Sequence, residues 1–593
     1  MMDNMRLAFD VETNGLLREL DCIHCLVTQD LDTGKVFKYD DTGLHDSVIT
    51  GIQSLMVADE IWGHNSIGFD CEAILQCYPF FKDSTAKVYD TLILSRLFFM
   101  DMLDRDFRSK PPNMPAQLYG RHSLESWGHR LGKFKSDFGK QLHGDWSTYS
   151  PEMLEYCAQD VEVSVALIKT FEPKLEQYKK PIETEHRLAR IMSWQEREGY
   201  PFNVALAHKL ENKLRTELEQ LSDEMRSTFI WVDGGNFTPA RPNQNKGYVT
   251  GAEFCRLKEF NPTSRQHIAF AFKNFRGWEP LEKTDTGRPK IDEKILEEIG
   301  TEESKKFARI LTLQKHLGQL SEGTNAWLKQ VDKGGRIHHS CVLNTNTGRM
   351  SHIRPNLSQV KSDKESRELF NPGPDRVQVG ADASGLELRC LSHYLARYDN
   401  GAFAKEVVEG DIHSYMAGIS KVSRKTQKSV TYCLIYGGGD FKLGLTAGAS
   451  KKDAVKRGKD LRGKLLKGIK GLAELNEAIQ TRAQHGVINA IDGRPIRLQG
   501  KAYAALNYLL QSCGAAICKA WLLRSNQLLQ ENNIDYWPLA FVHDEMQLSV
   551  KPEHAEKACE LIKIAIKDVR TELAFRCELD CDTQIGKTWA DCH

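Results

Sequence analysis

Asp10 and Glu12 stand two residues apart at the end of an apolar run that begins at Arg6. In a strand, residues i and i+2 point to one face, so the two carboxylates would leave that run together. Asp70 adds a third acid, directly after Asn65 to Phe69. Tyr156 and Asp160 are four apart in a helical pattern, which places phenol and carboxylate on one helix face. Hydrolysis of a phosphodiester with two metal ions about 4 Å apart needs several hard oxygen ligands; one ion activates water and the other stabilises the leaving oxygen. A tyrosine can orient that water. Each fragment is weak alone: Asp10 can cap a turn, and Tyr156 can be a core residue with a satisfied hydroxyl. Their order and spacing from Asp10 to Asp160 carry the weight.

A second acidic pair lies far down the chain. Asp382 heads Asp-Ala-Ser-Gly-Leu-Glu-Leu-Arg, ending at Arg389, and Asp544 sits in Val-His-Asp-Glu, from Val542 to Glu545. Two carboxylates holding two Mg²⁺ suit nucleotidyl transfer: one ion lowers the pKa of a 3′-hydroxyl, the other neutralises a triphosphate. Between them run Arg424, Lys428, Tyr432 and Tyr436, with Gly437 next. Steps of four drift by about 40° round a helix, so all four side chains share one broad stripe. Two cations suit a triphosphate and two aromatics suit a sugar and base. Any amphipathic helix can carry Arg and Lys four apart; the two tyrosines at the same spacing are what set this one apart. Gly437 to Gly439 is not a phosphate loop, since no Gly-Lys-Ser/Thr ending follows.

These residues need elements to position them. Arg6 to Val11 reads as a strand. Ser150 reads as an N-cap with Pro151 at the first helical position; the helix then runs to about Lys179 and stops before Pro181. A second helix runs from Ile182 to Glu198 and is closed by Gly199. Residues 176–182 therefore mark a boundary. Trp231 to Phe260, rich in Gly, Asn and Pro, reads as an extended loop. Gly380 to Arg389 reads as a strand entering a helix, Lys421 to Tyr436 as a helix, and Ala540 to Val550 as two short strands about a tight turn at His543 and Asp544.

The 593 residues predict several domains. Eighty basic and eighty acidic residues balance, which argues against a simple basic coat protein for nucleic acid but not against a nucleic-acid enzyme. Lys421 to Lys470 holds fourteen Lys or Arg against three acids, a density that suits phosphates or a solvated helical face. No apolar run reaches membrane-spanning length and no secretion signal opens the chain. Fifteen scattered cysteines, with one isolated pair at Cys22 and Cys25, read as free thiols in a reducing cytoplasm.

The Asp382, Arg424-to-Gly437 and Asp544 stretches resemble motifs A, B and C of family A DNA polymerases, related to bacterial DNA polymerase I. Further resemblances lie at Phe260 to Ile268 (the thumb), Thr347 to Gln359 (a primer-template contact) and Leu506 to Ser512 (a helix reading the minor groove). The N-terminal set resembles tyrosine-subtype DEDD exonucleases, and Arg121 to Gly128 is similar to a stretch near bound single strand. Gly410 to His413 and the ending Trp589 to His593 are similar to T-seven-type phage enzymes.

The resemblance implies an α/β multidomain chain: an RNase H-like 3′-5′ exonuclease domain (1–180), a thumb region (181–340), a palm (341–420 and 505–593) and fingers (421–504). It implies exonuclease metal ligands Asp10, Glu12, Asp70 and Asp160 with Tyr156 catalytic, and two Mg²⁺ in each active site. In the polymerase it implies Asp382 and Asp544 as ligands, with Glu545 and Lys428 also catalytic. Arg424, Lys428, Tyr432, Glu387 and His413 would bind nucleotide; Arg349, Tyr436, Asn507, Gln511 and His543 would bind DNA. Glu387 would crowd a 2′-hydroxyl and hydrogen-bond to Tyr432. His413 is open to reading as a core histidine, and Asn507 and Gln511 as buried amides. Implied partners are primer-template DNA, dNTPs and, for a replicative enzyme, a helicase-primase. Thioredoxin-type clamp binding does not carry over, because the Trp231 to Phe260 segment is short. A repair polymerase, a single-subunit RNA polymerase and a silent clamp-like DNA binder are the alternatives.

Overall fold

The computed structural model describes residues 5–133, 146–280, 282–284, 286–343 and 345–592. It divides into two compact units, one of residues 1–199, 339–359 and 372–593, the other of residues 200–338 and 360–371.

In the larger unit, β1 (Arg6–Thr13), β2 (Ile23–Asp30), β3 (Val36–Asp40), β4 (Glu60–Gly63) and β5 (Lys87–Asp90) form a sheet in the order β3-β2-β1-β4-β5. β1 pairs antiparallel with β2 and parallel with β4. Leu7, Phe9 and Val11 pack under the helix Val48–Val57, while Ala8 joins a second apolar cluster with Leu154 and Val161. α1 (Asp70–Cys77), α2 (Thr91–Phe98) and α3 (Pro151–Phe171) follow. The Ser150 hydroxyl accepts from the Met153 N–H and Pro151 opens α3, as the sequence indicated. α3 ends earlier than expected, at Phe171, and α4 (Lys179–Glu198) begins earlier, with Pro181 in its first turn. A backbone N–H at that position has no intrahelical acceptor anyway, so proline costs no hydrogen bond there.

A boundary after residue 180 would place nearly all of α4 in the thumb region. The helix lies in the larger unit, where Leu188, Ile191 and Met192 join the main core. It packs on the hairpin of β6 (Ser340–Leu343) and β7 (Met350–Ile353). A four-stranded antiparallel sheet follows: β8 (Val377–Ala383), β9 (Tyr536–Val542), β10 (Glu545–Val550) and β11 (Cys581–Gly586), in the order β9-β10-β8-β11. Gly380 of β8 permits close approach of the chain end, since a Cβ there would sit 2.3 Å from the Cys592 carbonyl oxygen. α5 (Leu386–Asp399), α6 (Ile412–Ser420), α7 (Arg424–Ile435) and α8 (Ala505–Glu531) complete the frame of the site.

In the smaller unit, the helices Val204–Thr228, Arg265–Phe275 and Glu302–Leu317 enclose Met225, Phe272, Phe307 and Leu311. The segment Trp231 to Phe260 is not an extended loop throughout. Strands Trp231–Phe237 and Phe254–Glu259 pair antiparallel across it. The register shifts between Asp233 and Asn236, where Gly234 and Gly235 lie; that bulge breaks the two-residue alternation by which a strand is recognised. Among the described residues, no helix is long and apolar enough to cross a membrane.

Candidate active sites

The N-terminal acids come together from three elements. β1 carries half-buried Asp10 and Glu12, α1 opens with buried Asp70, and α3 carries half-buried Tyr156 and buried Asp160. Ligand atoms of Asp10, Glu12 and Cys157 lie within 4.8 Å of one another, and the Cys157 thiol donates to the Asp10 carbonyl oxygen at 3.3 Å. Burial, joined by the charges of Asp90 and Asp160, pushes the Asp70 carboxyl up to about 7 against the pull of its own N–H and that of Val11. Acids crowded this closely disfavour a common negative state unless a cation neutralises them. The four carboxylates are hard oxygen donors, which fits Mg²⁺, while the Cys157 thiol beside them is engaged with the Asp10 carbonyl oxygen. Tyr156 lies against Trp146, ring centroids 6.1 Å apart.

Sequence reasoning missed Asp90. It caps α2 and accepts from the Asn65 and Ile67 N–H groups, which fixes the loop leading to Asp70. Its strand-end position before a threonine was the available signal. The Arg121 to Gly128 stretch packs in the domain: Ser123 caps the helix Leu124–Leu131, and buried Trp127 donates from Nε1 to Ser95 Oγ at 2.8 Å.

The second set converges at one end of the four-stranded sheet. Asp382 stands opposite Glu545 on one side and Asp582 on the other. His543 takes a left-handed φ of 57°, which closes the two-residue turn carrying Asp544, and the Ala383 N–H donates to the Asp544 carbonyl oxygen at 3.0 Å. Burial raises the Asp544 carboxyl, and Glu387 raises it further. The Cys518 thiol, pushed up by burial, feels the charges of Asp544, Glu387 and Asp382 together, with Arg349 opposing. A cavity of about 250 Å³ opens here, lined by Arg349, Glu387, Tyr436, Lys519, His543 and Asp544. Glu545 is 4% exposed; its Oε1 accepts from Gln547 Nε2 at 2.6 Å and from Trp589 Nε1, so it braces the turn from within.

α7 presents the stripe. Arg424, Lys428 and Tyr436 are exposed and Tyr432 half-buried, while Gln427, Val430, Thr431 and Leu434 turn inward. Gly437, with φ 72°, ends the helix immediately after Tyr436. Arg424 Nε donates to Asp411 Oδ2 at 2.6 Å. His413 is half-buried, its ring 6.3 Å from that of Tyr432; burial, then Arg424 and Lys428, push its imidazole down, with Asp411 opposing.

One expected contact is made by a different residue. Tyr436, not Tyr432, donates its hydroxyl to Glu387 Oε1, at 3.1 Å. One further helical step carries Tyr436 to the carboxylate, while Tyr432 lies alongside with ring centroids 6.1 Å apart. Arg349 Nη2 is 3.7 Å from the same Glu387 oxygen. Gln511 Nε2 donates to Asn507 Oδ1 at 2.9 Å, so these two half-buried amides partner each other on α8.

A buried ionic cluster lies beneath the cavity, and no local pattern betrayed it. Lys519 Nζ contacts both Glu185 oxygens, at 2.6 and 2.8 Å, and Arg494 Nη2 contacts Glu185 at 2.7 Å. Arg494 Nε also donates to Asp492 at 2.7 Å. Burial pushes the Glu185 carboxyl up, but Lys519 and Arg494 outweigh it and hold it below the usual range.

A family model described as DNA polymerase family A matches residues 247–591. The DNA-directed DNA polymerase of Enterobacteria phage T3 is 31% identical over 713 aligned positions, covering 99% of this chain and all of that protein. The DNA-directed DNA polymerase of Escherichia phage T7 is 31% identical, covering 98% and 99%. A solved structure described as the POL domain of Pol1 from M. smegmatis, in complex with DNA primer-template and dNTP, superposes with a TM-score of 0.73 at 16% identity, covering 100% of this chain and 96% of that one.

Proposed function

The chain belongs to DNA polymerase family A, and from that premise we propose a template-directed DNA polymerase with its own 3′-5′ proofreading exonuclease, replicating phage DNA. The observation that carries the synthetic half is the meeting of Asp382 and Asp544 at one sheet end, with Glu387 and Tyr436 on the adjoining cavity wall.

Both acid sets would hold Mg²⁺, two ions each: Asp382 and Asp544 in one, Asp10, Glu12, Asp70 and Asp160 in the other. Bound divalent cations supply a more acidic attacking hydroxyl or water and neutralise phosphate charge. Arg424 and Lys428 hold the triphosphate of a dNTP by charge-assisted bonds, and His413 adds an imidazole beside them. Arg424 exchanges Asp411 for phosphate when nucleotide arrives. Glu387, held by Tyr436, blocks the space a 2′-hydroxyl needs. Arg349, His543, Asn507 and Gln511 contact primer-template; the minor groove offers acceptors common to all pairs, so the amides test geometry rather than sequence. Glu545 acts as a positioning residue for the Asp544 turn. Pyrophosphate leaves as the primer grows.

The antiparallel-then-parallel order of the N-terminal sheet supports an RNase H-like exonuclease, with Tyr156 orienting the attacking water. The smaller unit supplies the thumb, residues 421–504 the fingers, and the four-stranded sheet the palm. A helicase-primase is the partner that a replicative role implies. Because the Trp231 to Phe260 segment is short, thioredoxin-type clamp binding does not carry over to this chain.

Primer extension with purified protein tests the reading. Wild type extends with dNTPs and trims a mismatched 3′ end; Asp382→Ala stops extension and leaves trimming. Extension by Asp382→Ala, or extension with NTPs in preference to dNTPs, refutes it. Addition of thioredoxin leaves product length unchanged if the short segment is no clamp site.

A further inference from the structure

His339 and Cys341 are two apart and flank the start of β6, and Cys341 is the direct register partner of His352 on β7. Residues two apart share a strand face, and cross-strand partners share it too. All three side chains are buried, at 0%, 7% and 5% exposure. One ligand atom from each lies within 4.8 Å of the other two. Cys341 Sγ is 3.3 Å from His352 Nδ1, close to the edge of a tetrahedron built on zinc–sulfur and zinc–nitrogen bonds, about 3.6 Å.

α4 covers this face with Gln195, 1% exposed. Its Nε2 is 3.1 Å from His339 Nε2 and 3.4 Å from Cys341 Sγ, while its Oε1 has no hydrogen-bond partner among the described residues. An amide's oxygen and nitrogen exchange places by a half-turn of the side chain's end. That half-turn takes the orphaned oxygen to the place of Nε2, facing His339 Nε2 and Cys341 Sγ.

We propose that His339, Cys341 and His352 form a buried zinc site, completed by the Gln195 carbonyl oxygen, that fastens the β6–β7 hairpin to α4. A thiolate with two imidazoles selects zinc over magnesium, which takes oxygen ligands. This separates the site from both acidic clusters. On binding, the Cys341 thiol proton goes to solvent and a zinc–sulfur bond forms. The hairpin carries Met350, and Arg349 precedes it; both line the polymerase cavity. Zinc would therefore set the position of a DNA-contacting edge without entering the chemistry.

The test is metal content and cobalt substitution in the full-length protein. Purified without chelator, it should hold about one zinc per chain. After zinc removal, Co²⁺ should give the near-ultraviolet absorption of a thiolate–cobalt bond, which oxygen-only sites cannot produce. That absorption should vanish in Cys341→Ser and persist in Cys157→Ser, which controls for the thiol beside Asp10 and Glu12. His352→Asn guards against misfolding of the first variant: it keeps the thiol but should shift the cobalt spectrum and weaken binding at least tenfold, as loss of a ligand or its support does. Absence of zinc together with absence of the cobalt band overturns the proposal and leaves a hydrogen-bonded polar cluster; so does a band that survives Cys341→Ser.

Discussion

The Tyr436 hydroxyl donates to Glu387 Oε1 at 3.1 Å, tying the last residue of the stripe that α7 begins to the first turn of α5, the helix that follows Asp382. Burial and the Glu387 charge push the Tyr436 phenol up to about 12, so it stays a donor at any working pH. A carboxylate held in this way is a fixed wall rather than a mobile side chain.

Removing the wall should therefore matter more than removing its tether. Glu387→Ala is expected to relax discrimination against NTPs by one to two orders of magnitude, about 1.4–3 kcal/mol. Tyr436→Phe removes one bond to a charged group, about 1.5–3 kcal/mol at most, and should relax it less. Steady-state kcat/KM for dCTP against CTP measures both. Equal discrimination in all three proteins would remove Glu387 from this role.

Burial raises the Tyr432 phenol, and the charges of Glu387 and Asp544 add to it. The expectation is that wild type accepts dideoxynucleotides readily and that Tyr432→Phe restores discrimination against them. Competition between dNTP and ddNTP in a termination assay measures it; several-hundred-fold discrimination by wild type, unchanged in Tyr432→Phe, would count against the assignment.

Asp544→Ala should stop synthesis and spare trimming of a 3′ mismatch, whereas Asp10→Ala with Glu12→Ala should do the reverse. Both activities should vanish with EDTA and return with Mg²⁺. Loss of both activities in either variant, with the fold intact by circular dichroism, would deny two separate sites.

Glu185 supports one buried lysine and one buried arginine. Glu185→Gln should destabilise the larger unit by about 3–5 kcal/mol, because two buried cations lose their shared partner. Lys519→Met should cost less, since Arg494 still neutralises Glu185. Chemical denaturation followed by Trp fluorescence distinguishes the two.

His122 predicts acid sensitivity around the helix Leu124–Leu131, which it precedes. Burial, then Arg96 and Arg130, push its imidazole down to about 3. The unfolded chain takes up that proton near pH 6.5, so between about 6.5 and 3 the unfolded state binds more protons and stability falls on acidification. Hydrogen exchange of the helix Leu124–Leu131 should quicken over that range, and His122→Gln should flatten the response. An unchanged profile in the variant would show that other groups set it.

The sequence by itself determined the local pieces: the strand bearing Asp10 and Glu12, the Ser150-Pro151 helix start, the turn at Asp544 and the four-step stripe from Arg424 to Tyr436. Each follows from side-chain periodicity, capping or turn chemistry, which act over a few residues. Only the tertiary structure decided which stripe tyrosine meets Glu387, because that depends on how far the helix travels before it faces another element. It also decided that Trp231 to Phe260 pairs as strands across a two-glycine bulge, and that α4 belongs with the larger unit. The Glu185, Arg494 and Lys519 cluster joins residues more than three hundred positions apart. Burial energy selects such partners, and it is a property of the packed chain rather than of any window of it.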